Sequence, residues 1–128
     1  MGKPAAKKQD IVQATDIHII IIPPGTPTPL PHPFIGMLDK KLIPKVKIMG
    51  KPAAVKGSEA SAKPPHIPQG GPFQSPPKNK GTIKMGSGTV KIGGKPAARL
   101  NEMVETCNDP SPLPVGKVIA MGTVFIGG

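Results

Sequence analysis

Aromatic residues are scarce in this chain, which contains no Trp, no Tyr and only three Phe. The core must therefore be built from Ile, Val, Leu, Met and Ala, which predicts thin layers of short strands. Small domains that bury little apolar surface draw on metal ions, disulfides or partner chains for part of their stability. The single cysteine, Cys107, excludes an intrachain disulfide, so a metal ion or a partner remains.

Long apolar runs are absent as well. The run Ile17–Ile22 is interrupted by His18 and ends at Pro23, far short of the roughly 20 residues that a membrane helix needs. Its β-branched residues predict a strand instead. No apolar stretch of the signal-peptide type follows the N-terminal lysines, so we expect a start in the cytoplasm without a cleaved signal. The length predicts one domain, residues 1–128, without room for an effector extension.

Acidic residues are also few, seven against 17 Lys and Arg, and the formal net charge is +10. Such a charge suits a basic nucleic-acid-binding domain, which is one alternative function. However, the lysines are spread along the chain, Arg99 is the only arginine, and aromatic side chains for base stacking are lacking. The charge therefore favours an acidic protein partner over nucleic acid.

The string Gly-Lys-Pro-Ala-Ala occurs three times, beginning at Gly2, Gly50 and Gly94. Copies that recur at steps of 48 and 44 residues indicate one supersecondary unit used three times, which predicts pseudo-threefold symmetry. Strand-like triplets stand at matching places, at 46–48, 90–92 and 124–126. The predicted fold class is all-β, a small cone of short strands and hairpins from three repeats.

Glycines and the two ends of the chain predict further features of this fold, namely two hairpin turns and adjacent termini. Gly86–Gly88 and Gly122 each separate two strand-like segments, and these glycines predict hairpin turns. The last strand ends in Gly127-Gly128 without a Lys-Pro-Ala-Ala continuation, and such a continuation stands at the other end of the chain, from Lys3. We therefore expect the two termini to lie side by side and to close the ring of three units.

The histidines and the cysteine form a candidate metal site. His18 and His66 each lie 16 residues after the first Gly of their repeat, and Cys107 lies 13 residues after its own. One donor from each repeat would converge on the pseudo-threefold axis. His32 lies in an insertion of about nine residues, in the Pro-rich loop 23–33 of the first repeat, and would supply a fourth donor.

Three His and one Cys suit Zn(II) in tetrahedral coordination, with iron as the alternative ion. We predict one zinc per chain, in a structural site, because four protein ligands leave no position for water. A zinc hydrolase with three ligands is a further alternative. However, Asp16 and Asp109 beside the ligands are better explained as turn formers or as partners that orient a ligand His. We therefore expect no enzymatic activity.

The segment Gly86–Arg99 strongly resembles the signature of PAAR-repeat proteins, whose name comes from the string found here as Pro96-Ala97-Ala98-Arg99. The first two copies depart from that string, with Lys7 and Val55 in place of the final Arg. The likeness extends over essentially the whole chain, because the two weaker copies and the terminal strand fall in register with the strong copy.

The resemblance implies a small cone that caps and sharpens the trimeric VgrG-like spike of type VI secretion or of a related contractile injection machine. In that family three His and one Cys hold a zinc near the apex, which carries over to His18, His32, His66 and Cys107. The implied partners are the spike, with one tip per trimer, effector proteins, and a target membrane that is punctured. The implied route is assembly on the spike in the cytoplasm and then secretion, without a signal peptide, into the medium or a target cell. Type VI secretion, an extracellular injection particle and a phage tail remain open.

Overall fold

β-Strands form the regular structure of the computed structural model, which describes residues 2–128. The strands are β1 (Lys3–Pro4), β2 (Ile11–Ile22), β3 (Thr26–Lys40), β4 (Ile43–Ile48), β5 (Lys51–Ala53), β6 (Glu59–Ala62), β7 (Lys80–Ile83), β8 (Lys91–Ile92), β9 (Lys95–Pro96), β10 (Met103–Thr106), β11 (Leu113–Ile119) and β12 (Phe125–Ile126). Within the described residues, no helix could span a membrane. The predicted all-β fold class is confirmed.

Six strands close into a barrel in the order β10-β11-β2-β3-β6-β7. Its longest ladder joins β2 and β3, which pair antiparallel from Ile11 opposite Met37 to Ile22 opposite Thr26. Successive side chains of a strand point to opposite sides, so β2 has one inner and one outer face. The buried residues of the inner face are Val12, Asp16, His18 and Ile20. Two polar side chains therefore share a face with two core residues.

The Gly-Lys-Pro-Ala-Ala copies form three two-stranded ladders in the same register. The lysine of each copy is paired with an isoleucine: Lys3 with Ile126, Lys51 with Ile48, and Lys95 with Ile92. Two of these ladders join strands that are neighbours in sequence. The third joins β1 to β12, which places the two termini side by side and confirms that prediction.

The second alanines of the three copies bind one another in a closed cycle. The backbone N–H of Ala6 donates to the carbonyl of Ala98 at 2.9 Å, that of Ala98 to Ala54 at 3.0 Å, and that of Ala54 to Ala6 at 3.1 Å. All three are 0% exposed. Small side chains are needed here because three backbones meet at one place. The ring of three copies is closed as predicted, and the symmetry of the complete units stays a prediction.

Two apolar clusters stabilise the molecule. The larger cluster fills the barrel, where Val12, Phe34 and Leu38 are each 0% exposed, and it extends to Cys107. The smaller cluster lies under the three ladders and consists of buried Ala and Ile, namely Ala5, Ile48, Ala53, Ala97 and Ile126. The predicted aliphatic core is therefore divided between the barrel and the ladders.

The two predicted glycine hairpins were wrong. The strand before Gly86, β7, pairs with β6 and β10, whereas the strand after it, β8, pairs with β9 across Gly93 and Gly94. Likewise β11, before Gly122, pairs with β10 and β2, whereas β12 pairs with β1. The segments on the two sides of each glycine belong to different sheets, because partners from other repeats complete the barrel and the ladders.

The predicted Pro-rich loop 23–33 was also wrong, since most of it belongs to β3. Its prolines at 27, 29, 31 and 33 recur at every second residue. Proline lacks an N–H, so a strand tolerates it where its backbone nitrogen faces an edge without a partner strand. The other neighbour of β3 in the barrel, β6, pairs with it only from Gly36 onward, which leaves the Pro-rich half with such an edge. His32 accordingly lies on a strand.

Candidate metal centre

β2 and β3 place three polar side chains inside the barrel. Asp16 and His18 lie on the inner face of β2, and His32 lies on β3 directly opposite Asp16. Asp16 is 0% exposed, and His18 and His32 are each 1% exposed. The alternation that buries Val12 and Ile20 buries Asp16 and His18 with them. The strand pattern therefore brings three titratable groups into an apolar interior.

His66 and Cys107 reach the same region from the second and third repeats. His66 lies between β6 and β7, where its backbone N–H donates to Oδ1 of Asn79 at 2.8 Å. Its side chain is 2% exposed. Cys107 directly follows β10 and is 5% exposed. Each repeat thus contributes at least one of the predicted donors to one buried cluster.

Four donor groups lie closest together. One ligand atom from each of Asp16, His18, His66 and Cys107 lies within 4.8 Å of all the others. The ring centroids of His18 and His66 are 4.9 Å apart, and that of His32 lies 5.6 Å and 5.8 Å from them. The structure therefore brings three of the predicted ligands together with Asp16 and places the fourth, His32, beside them.

Three buried imidazole nitrogens lack a hydrogen-bond partner within residues 2–128. They are Nδ1 and Nε2 of His18 and Nε2 of His32. Oδ2 of Asp109 lies 3.4 Å from Nδ1 of His18, but outside hydrogen-bond geometry. Nδ1 of His32 lies 2.9 Å from the carbonyl of Leu30, so in the neutral imidazole this nitrogen carries the proton and Nε2 has the lone pair. Metal-binding histidines have this arrangement, with one nitrogen held by an acceptor and the other left for the ion.

Asp16 is a buried carboxylate whose one ion-pair partner among the described residues is a histidine, His66. Its Oδ1 accepts hydrogen bonds from the Thr106 hydroxyl and the Asn108 amide. Its Oδ2 lies 2.8 Å from Nε2 of His66 and 3.4 Å from Sγ of Cys107. No lysine or arginine in the described chain forms an ion pair with it. A buried carboxylate needs a compensating positive charge, which a cation in this cluster would supply.

The pKa shifts of two residues describe the cluster without a cation. Burial, assisted by nearby His66, lowers the pKa of His18 below its ordinary value, so this imidazole is neutral at pH 7. Burial, followed by the negative charge of Asp16, raises the pKa of the Cys107 thiol to about 11. A neutral imidazole can bind a metal directly, whereas a thiol must first release its proton to solvent.

These residues fit a divalent metal ion of intermediate softness. Imidazole nitrogen, thiolate sulfur and carboxylate oxygen are the usual protein ligands of Zn(II), which holds neighbouring ligand atoms roughly 3.3–3.8 Å apart. Donor atoms within 4.8 Å of one another reach such a geometry by small side-chain movements. A cavity of about 280 Å³ that is lined in part by His18, Cys107 and Asp109 offers an access route.

Asp16 lies among the candidate donors, although the sequence did not predict it as a metal ligand. It was predicted as a turn former or as the partner of a ligand His, and it lies in mid-strand with a hydrogen bond to His66. Its place among the donor atoms was not predicted. The signal was present, because residues two apart on a strand share a face and Asp16 therefore accompanies His18. Which of the donor groups bind an ion stays a prediction.

Comparison with known proteins identifies the C-terminal part of the chain. The family model of the PAAR motif matches residues 73–128. The matched segment contains the third Gly-Lys-Pro-Ala-Ala copy and Cys107. The predicted resemblance to PAAR-repeat proteins is thereby confirmed. A search of curated proteins found no match.

Proposed function

We propose that this PAAR-motif protein is a structural tip that caps and sharpens the trimeric VgrG-like spike of a contractile injection machine. The observation that carries the proposal is the PAAR motif at residues 73–128, since this motif suggests a spike-tip role. The closed ring of three ladders supports it, because a ring with three matching ladders suits the end of a trimer. The proposal includes a type VI secretion system, an extracellular injection particle and a phage tail as alternative machines.

The tip is held together by one structural Zn(II) per chain. We assign its ligands as His18, His32, His66 and Cys107, and we assign Asp16 the role of balancing charge beside them. Zinc with a single thiolate leaves a net positive charge, which the carboxylate 3.4 Å from Sγ offsets. Four protein ligands leave no open position, so the ion serves as a cross-link and the protein is not an enzyme.

The cross-link has a mechanical purpose. It joins β2 and β3 to the segments that carry His66 and Cys107, which are separated from Asp16 by 50 and 91 residues along the chain. Coordinate bonds between distant segments resist shear better than the small apolar contacts available to an aromatic-poor core. The tip therefore keeps its shape when the machine drives it through a target membrane.

The tip joins the spike before firing. In this proposal the protein assembles on the spike in the cytoplasm, carries effector proteins with it, and leaves the cell on the spike. One tip binds each spike trimer, because a single chain supplies three ladders. It ends in the medium or in a target cell.

The experiment is reconstitution with the trimeric spike protein from the same genome. Mass measurement by light scattering after size-exclusion chromatography should give one tip per three spike chains, and electron microscopy should show density at one end of the spike. Failure of the purified proteins to associate, or a ratio of three tips per trimer, would contradict the proposal.

A further inference from the structure

The six strands of the three ladders carry charge of one sign. They contain Lys3, Lys45, Lys47, Lys51, Lys91 and Lys95 and no acidic residue. We call these six side chains the lysine ring. Five of them are exposed and Lys51 is half-buried. Like charges that are held together in a small area favour a partner of opposite charge.

No acid in the described chain forms an ion pair with the lysine ring. The acids that pair with a lysine or arginine bind Lys7, Lys41, Lys80, Lys84 and Arg99, all outside the ring. Asp10 is near enough to sense the charge of Lys51, but its carboxylate is held by Nζ of Lys7 at 3.1 Å. The positive charge of the ring is therefore left for another molecule.

Three of these lysines occupy equivalent positions. Lys3, Lys51 and Lys95 are the lysines that pair with Ile126, Ile48 and Ile92 in the three ladders. The alanine cycle behind them holds the three copies at one closed junction. The arrangement repeats one cation per ladder around a ring, which random placement of surface lysines does not produce.

We propose that the lysine ring is the docking face for the spike and that the spike presents an acidic end, with carboxylates from each of its three chains facing Lys3, Lys51 and Lys95. This inference rests on the proposed function and adds the face of the tip and the chemistry of the partner. A protein trimer is favoured because it repeats the same groups three times, as the ladders do. A lipid surface or a nucleic acid has no threefold arrangement and responds to total charge alone.

The candidate metal donors lie on other elements than the ladders. They lie on β2 and β3, between β6 and β7, and directly after β10, and the six ladder strands carry none of them. Docking through the lysine ring therefore uses none of the candidate His and Cys side chains. Charge changes on the ring should not alter metal content, which provides an independent check on folding.

The test compares two triple variants with the same change in charge. One is Lys3→Glu/Lys51→Glu/Lys95→Glu, and its control carries K40E, K63E and K117E at exposed lysines outside the ladders and outside any ion pair. The affinity of each variant for the immobilised trimeric spike protein from the same genome is measured at about 50 and about 300 mM NaCl. Circular dichroism and metal content confirm folding. Vesicles of phosphatidylcholine with phosphatidylserine and a short DNA duplex serve as competing probes.

We expect the ring variant to bind the spike roughly 100-fold more weakly than the wild type at low salt, and the control to stay within about threefold. Wild-type affinity should fall as salt rises. Equal losses in both variants, wild-type affinity in the ring variant, or tighter binding to vesicles or DNA would overturn the acidic docking face while leaving a tip function intact. Absence of any wild-type binding to the spike would instead overturn the proposed function, and this inference with it.

Discussion

Removal of the metal ion should lower thermal stability sharply. Without an ion, three buried nitrogens of His18 and His32 have no hydrogen-bond partner in the described chain. An imidazole binds an ion through one nitrogen, so loss of the ion leaves one nitrogen of each of these two histidines newly without a partner. A buried polar atom without a partner costs about 1–3 kcal/mol, so the two together would cost roughly 2–6 kcal/mol. Water that enters through the cavity of about 280 Å³ beside His18 would satisfy part of this demand. We therefore expect a loss near the lower end, about 3 kcal/mol.

The loss can be expressed as a melting temperature. For a domain of this length each kcal/mol corresponds to about 3–5 °C, so chelation should lower Tm by roughly 10–15 °C. The assay is thermal unfolding followed by circular dichroism, with and without a strong chelator, on protein whose metal content has been measured. The wild type should contain close to one zinc per chain before chelation and none after it.

His66→Ala provides the control, because a variant that binds no metal has nothing for the chelator to remove. Its Tm should already be low and should change little on chelation. Cys107→Ser serves the same purpose with a smaller change in volume, in case the first variant does not fold. An unchanged wild-type Tm after complete loss of metal would refute the reasoning. A drop in the Tm of either variant on chelation that equals the drop in the wild type would also refute it.

Two further predictions concern single side chains. His32→Ala should abolish stoichiometric zinc binding, whereas Asp16→Asn should retain zinc with weaker affinity; the reverse pattern in metal analysis would make Asp16 the ligand and His32 the neighbour. Burial alone would raise the pKa of Glu59, but hydrogen bonds and charges from Lys41 and Lys80 outweigh it and hold the pKa below its ordinary value. A depressed carboxylate pKa stabilises the fold above about pH 4.5, and the stabilisation is lost as pH falls through the folded-state pKa. The Tm difference between wild type and Glu59→Gln should therefore shrink as pH is lowered from about 6 to about 3, and a constant difference would contradict the assignment.

Repetition and strand periodicity made much of this molecule predictable. Three copies of one short string predicted equivalent units and a closure through the termini, and β1 pairs with β12. Both inferences need only the rule that similar sequences form similar local structure. The offset shared by His18 and His66 predicted that distant histidines meet, and their rings lie 4.9 Å apart.

Strand partners were less predictable than strands. Gly86–Gly88 and Gly122 have the composition of hairpin turns, but local turn preference competes with pairing across repeats. The barrel and the ladders satisfy more backbone groups than isolated hairpins would, and that choice depends on the whole chain. The Pro-rich segment was misassigned for a related reason, because proline is tolerated in β3 only where its other edge is open.

The sequence by itself determined the all-β class, the three copies of one short string with their closure through the termini, and the candidate His and Cys side chains, because these follow from repeats and from residue types that are written along the chain. Only the tertiary structure decided that β8 pairs with β9, that His32 stands on a strand, and that Asp16 joins the donors. The contacts of Asp16 with His66 and Cys107 span 50 and 91 residues. Such contacts depend on how the barrel closes, since no local preference of the chain can encode a distance between segments that meet only after folding.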